Sequence, residues 1–154
     1  MRRASSVRQA GEWDKATAID QVVLDAGERH RRRCVLTAER GTVMLLDLPH
    51  AVALKDGDGL VLDDGAVVRV VGKAEPLHEV AARNASELAR LAWHLGNRHT
   101  EVQVAGERLR IRRDHVLAEM LQRLGAQVTA IEAPFDPETG AYAPPHGHSG
   151  HSHD

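Results

Sequence analysis

The sequence predicts an α+β protein built as two domains followed by a histidine-rich tail. Three observations carry that expectation. Residues 16 to 72 break into short apolar and β-branched runs separated by turn residues. After Gly72, two capped amphipathic helices alternate with strands. From Pro144 onward the chain reads Pro-Pro-His-Gly-His-Ser-Gly-His-Ser-His-Asp, which holds nothing able to bury a core and is expected to be a mobile tail.

In the first segment the runs are Ile19 to Leu24, Cys34 to Thr37, Thr42 to Leu48, Ala51 to Leu54, Gly59 to Leu62 and Val67 to Val71. Gly27, Gly41, Pro49 and the stretch Asp56-Gly57-Asp58-Gly59 punctuate them. Asp64-Gly65 is expected to form a two-residue type I′ hairpin turn. No window sustains a helical period, so residues 1–73 read as a small β domain.

The second segment, 74–143, opens with an expected strand from Leu77 to Ala82. Asn84 then stands as N-cap with Glu87 three residues on. Ala85, Leu88, Leu91, Ala92 and Leu95 form one apolar stripe, and Gly96 is the expected stop signal. Val102 and Val104, then Leu109 and Ile111, alternate with polar neighbours on either side of Gly106. Asp114 caps a second helix whose buried stripe is Leu117, Met120, Leu121 and Leu124, closed by Gly125, and Val128 to Ile131 is the last strand. The resulting order, β-α-β-β-α-β, is that of the ferredoxin-like arrangement.

Composition removes several function classes. Twenty basic and 22 acidic residues give a net charge of −2, and two Trp, one Tyr and one Phe cannot build a base-stacking platform, so no nucleic-acid partner is expected. The longest mainly apolar stretch, Val43 to Leu48, is interrupted by Asp47 and falls far short of the roughly 20 residues of a membrane span. The lone Cys34 excludes an intramolecular disulfide and every CxxC zinc site. No apolar segment follows Arg2, Arg3 and Arg8, so a reduced, cytoplasmic setting is expected. GxSxG, P-loop, GxGxxG and HExxH motifs are all missing, and no enzyme activity is expected.

The outlier is histidine, with ten residues. In the tail, His146 and His148 are spaced i, i+2, as are His151 and His153, with glycine and serine between them. Neutral imidazole suits nickel, zinc and copper alike, and this spacing lets a pliant backbone wrap around one ion. His94 and His99 are poor partners for each other, because five residues of helix turn their side chains roughly 140° apart. His99 lies in the loop beyond the helix, where a two-fold axis would bring two copies together. His115 begins the second helix, an exposed position. His30, His50 and His78 have no histidine partners. Asp56-Gly57-Asp58-Gly59 starts like a calcium loop but puts Leu60 at position five and lacks the closing glutamate, so that match fails.

The stretch His94-Leu95-Gly96-Asn97-Arg98-His99 resembles the signature of the UreE family of urease accessory nickel metallochaperones. Asp114-His115-Val116-Leu117 with Met120-Leu121 adds to the likeness, as does Phe135-Asp136-Pro137-Glu138 with Gly140-Ala141-Tyr142 leading into the tail. Asp47-Leu48-Pro49 and Asp56-Gly57-Asp58 look like the family's β domain. The resemblance implies an N-terminal β domain of partner- or peptide-binding type and a ferredoxin-like domain that binds metal and dimerises. It implies nickel held by His99 from both subunits, tail histidines adding capacity, and a homodimer or dimer of dimers. The implied partners are apo-urease and its accessory proteins, including the maturation GTPase. Some members carry a further histidine two residues before the one matching His115; here that position is Arg113. The alternative is a nickel or zinc buffering protein with no delivery partner.

Overall fold

The computed structural model describes residues 1–140, so His146, His148, His151 and His153 lie outside the described residues. Two compact units divide the chain, Met1–Lys73 and Ala74–Glu138. Each has its own core.

The first unit holds a six-stranded sheet. Its strands are β1 (Arg2–Arg8), β2 (Asp20–Leu24), β3 (His30–Thr37), β4 (Val43–Ala53), β5 (Gly59–Leu62) and β6 (Val67–Gly72), in the spatial order β2-β6-β5-β1-β4-β3. β1 was not expected, since Ala4 and Val7 are its only apolar residues. It nevertheless runs centrally, parallel to β4 and antiparallel to β5, and Ala4 is completely buried. A one-turn helix, α1 (Ala26–Arg29), precedes β3 with a complete capping box between Asp25 and Glu28. Buried Arg29 donates to the carbonyls of Leu24 (3.2 Å) and Leu54 (3.0 Å), fastening this helix to the sheet.

Two local expectations need correction. Pro49 does not separate strands, because β4 runs through it. The pairing of β3 with β4 jumps between Arg31↔Val52 and Arg33↔Asp47, so Pro49 falls in an irregularity where its missing N–H costs no ladder bond. Nor is Asp64-Gly65 a type I′ turn: of the two, only Gly65 has positive φ (+87°). The Gly65 amide donates to the Leu62 carbonyl (2.9 Å), the Leu62 amide donates to that of Ala66 (2.8 Å), and β5 and β6 are joined by a longer loop.

The acidic stretch before β5 is a structural element. Asp58 is 2% exposed and accepts from the amides of Ala10 and Lys55, both at 2.9 Å, while Asp56 accepts from that of Gly72 at 2.8 Å. These carboxylates organise the loop through backbone donors, as buried acceptors must.

The second unit runs β7 (Glu75–Ala81), α2 (Ala85–Asn97), β8 (Gln103–Ala105), β9 (Arg108–Arg112), α3 (His115–Arg123) and β10 (Gln127–Ala133). Its sheet is ordered β10-β7-β9-β8 with every pair antiparallel. Val80, Leu109 and Ile111 pack with Leu91 and Leu95 of α2 and Leu121 of α3. Ala85, Val104 and Leu124, expected with the apolar faces, are exposed. On the other face, Glu79 receives Arg108 (2.8 Å) and Arg110 (3.1 Å), which hold its carboxyl below the usual range. Phe135 is fully buried under the Arg112 guanidinium, 4.9 Å from the ring centre. Beyond it, Glu138 ties the chain to β8: its amide donates to the Val102 carbonyl (2.7 Å) and its carboxylate accepts from the Val104 amide (3.1 Å).

Candidate metal centre

The end of α2 presents His99. The helix starts as expected, with the Glu87 amide donating to Asn84 Oδ1 at 2.8 Å. It does not stop at Gly96, which lies inside it; Arg98 is the C-cap. The residue that turns the chain is His99, with φ +54°, the only non-glycine residue of positive φ among those described. Its amide donates to the Gly96 carbonyl (3.1 Å) and the Thr100 amide to that of Leu95 (3.2 Å). This pair of bonds is the Schellman closure, whose left-handed position is normally filled by glycine. A side chain there carries strain of about 1 kcal/mol or more, and such strain concentrates at functional positions. The His99 side chain is exposed. The sequence shows a loop at this position but not the turn, since no Gly or Asn at position 99 signals it.

Neighbouring histidines differ. His94 is half-buried and meets the Trp93 ring edge-on, 5.1 Å between centroids, so it packs where His99 is presented. His115 opens α3 behind its N-cap Asp114, whose carboxylate accepts from the amides of Val116 (2.9 Å) and Leu117 (3.1 Å). It is exposed. His78, in β7, accepts from the Asp114 amide through Nδ1 at 3.3 Å and so steadies the start of α3. Burial lowers its pKa, Arg113 lowers it further, and Asp114 opposes both. Proton-free nitrogen at Nδ1 fits that acceptor role. Nothing in the spacing of the sequence signals this contact.

Arg113 stands two residues before His115. Its Nη2 donates to the Ile131 carbonyl (2.7 Å) and meets Glu132 (3.2 Å), and its amide donates to the Pro76 carbonyl (3.1 Å). It ties β7, β10 and the start of α3 together. Among the described residues, no group of three or more His, Cys, Asp or Glu side chains is set to hold a metal ion. His99 and His115 each stand as a single imidazole on one chain. No helix of the described residues is long and apolar enough to cross a membrane.

Fold and site together define a two-unit α+β protein that displays a ligand-competent imidazole on a strained helix end. Family models match both units: the N-terminal domain of the UreE urease accessory protein over residues 2–73 and its C-terminal domain over 75–154. The urease accessory protein UreE of Rhodopseudomonas palustris (strain BisB18) is 57% identical over 154 residues, covering 97% of this chain and 72% of that protein. UreE of Bradyrhizobium sp. (strain BTAi1) is 54% identical over 98% of this chain and 73% of its own. UreE of Chelativorans sp. (strain BNC1) is 50% identical over 99% and 94%. The chain belongs to the UreE family of urease accessory proteins.

Proposed function

We propose that this protein is a nickel metallochaperone that supplies Ni²⁺ to apo-urease during assembly of its active site, working with the other accessory proteins, including the maturation GTPase. The observation that carries the reading is His99 in the left-handed position closing α2. Glycine would relieve the strain there, so a histidine in its place has a use for its side chain. One imidazole holds a divalent ion weakly. Two copies of His99 across the two-fold axis of a homodimer double the donor set while leaving positions open for release. Exposed apolar residues, Trp93 at 64% and Val116 at 57%, support burial of part of the C-terminal unit in such a dimer. The β-α-β-β-α-β order and the β10-β7-β9-β8 sheet support reading this unit as ferredoxin-like.

In this mechanism imidazole nitrogen is a borderline donor, able to scavenge nickel yet release it, without the grip of thiolate. His146, His148, His151 and His153 gather further ions, and His115 is a secondary ligand beside them. Zinc and copper compete for the same nitrogens. Calorimetric nickel titration of three proteins tests the division of labour. His99→Ala removes the tightest site, removal of residues 144–154 lowers the number of ions bound, and His115→Ala has the smaller effect on affinity. Tight binding that survives His99→Ala but vanishes without the tail would overturn it. Capture of urease or its GTPase partner only in the presence of nickel separates delivery from buffering.

A further inference from the structure

The N-terminal unit contains a polar cavity of about 330 Å³ that the metal chemistry does not use. Lys15, Asp20, Gln21, Glu39, Arg40 and Arg69 line it. Arg69 lies in β6, in register with Gln21 of β2 on one side and Gly59 of β5 on the other. Its Nε–H is buried without an acceptor, and among the described residues no carboxylate pairs with its guanidinium. Among the described residues Lys15 forms no ion pair, and the Arg40 guanidinium reaches the Ile19 carbonyl alone, at 3.5 Å. The two carboxylates of the cavity accept hydrogen bonds from neutral donors and, among the described residues, pair with none of these cations. Asp20 accepts from the amides of Gln21 (2.8 Å), Arg40 (2.8 Å) and Thr42 (3.2 Å), and Glu39 accepts from the Gln21 side chain (2.7 Å).

Three cations without ion-pair partners among the described residues therefore line one concave site. Three cations against two carboxylates leave an excess of positive charge that favours an added anion, and guanidinium groups match the oxygens of phosphate. A tetrahedral dianion has oxygens enough for all three, whereas a carboxylate has two. We propose that this cavity binds a phosphate group, either free or at the end of a small metabolite, through Lys15, Arg40 and Arg69.

The test uses the full-length, metal-free protein at about pH 8, where histidine is neutral and the tail does not attract anions. Inorganic phosphate and glycerol phosphate are titrated while the backbone resonances of Gln21 and Arg40 are followed. Saturable shifts are expected that sodium chloride at equal ionic strength does not produce. Tighter binding of inorganic phosphate assigns the free anion; tighter binding of glycerol phosphate assigns a phosphorylated metabolite. Arg69→Gln and Lys15→Gln each weaken binding about tenfold or more, as expected for loss of a charge-assisted bond. Glu39→Gln, which removes a like charge, tightens it. Lys15 is exposed, so its variant carries the test should Arg69→Gln fail to fold. Shifts that follow ionic strength alone, or wild-type affinity in Lys15→Gln, overturn the proposal.

Discussion

His99 and Gly125 occupy the same position in the closing turns of the two helices of the C-terminal unit. Gly125 has φ +93° and its amide donates to the Gln122 carbonyl at 3.0 Å; the Ala126 amide donates to that of Leu121 at 3.0 Å. The bonds around His99 and Thr100 repeat this pattern. One turn uses the residue that physics prefers and the other does not, which singles out His99 as the position where stability has been set aside.

Exchanging the two preferences should separate strain from ligation. His99→Gly raises the stability of the C-terminal unit by up to about 1 kcal/mol, reduced by the greater freedom of glycine in the unfolded chain, and loses the tight nickel site. Gly125→Ala lowers stability by about 1 kcal/mol and leaves nickel binding intact. Urea unfolding beside nickel titration checks both. A His99→Gly protein less stable than wild type contradicts the strain argument.

Nickel binding should weaken as pH falls through about 6.5, the ordinary pKa of histidine, because only neutral imidazole ligates. Titration at pH 7.5 and 5.5 should show a marked loss of affinity at the lower value. Equal affinities would exclude an imidazole donor set.

Asp20 supplies a second pH dependence, in the N-terminal unit. Burial raises its pKa, but the amides of Arg40, Gln21 and Thr42 and the Thr42 hydroxyl outweigh that and bring it down from 3.8 to about 2. Its folded-state value lies below its unfolded one. Its contribution is therefore complete above about pH 4 and is lost as pH falls towards 2. Asp20→Asn should be less stable than wild type at neutral pH, with the gap closing across that interval. A gap independent of pH in urea midpoints would show that the charge is immaterial.

Gly59 is a packing constraint. A Cβ there would lie 2.7 Å from Val67 Cγ1 and 2.8 Å from Trp13 Cε2, and Trp13 is itself anchored by its indole N–H on the Gly57 carbonyl at 3.1 Å. Gly59→Ala should cost about 1–3 kcal/mol through overpacking, measured by thermal unfolding, with nickel affinity unchanged.

Much of the C-terminal unit was legible in its residues. Asn84 and Asp114 cap their helices as their types require, and Leu91, Leu95 and Leu121 face the core at helical spacing. These features depend on neighbours three or four residues away, which sequence displays directly. β1 was not legible: its polar residues suit a strand only because β4 and β5 flank it, some forty to sixty residues on. Pro49 misled for a related reason, since the strand register that tolerates it belongs to a pair and not to a segment.

By itself the sequence determined the alternation of elements, the family likeness in His94 to His99, and which side chains could ligate a metal. Tertiary structure alone decided that the helix runs past Gly96 and turns on His99, that Arg113 is spent on the carbonyl of Ile131, and that His78 holds the start of α3. It also gathered Lys15, Arg40 and Arg69 around one cavity from three separate stretches of chain. The reason is the range of the forces concerned. Capping and periodicity act within a turn of helix, whereas backbone strain, buried donors and shared cavities arise only when distant segments meet.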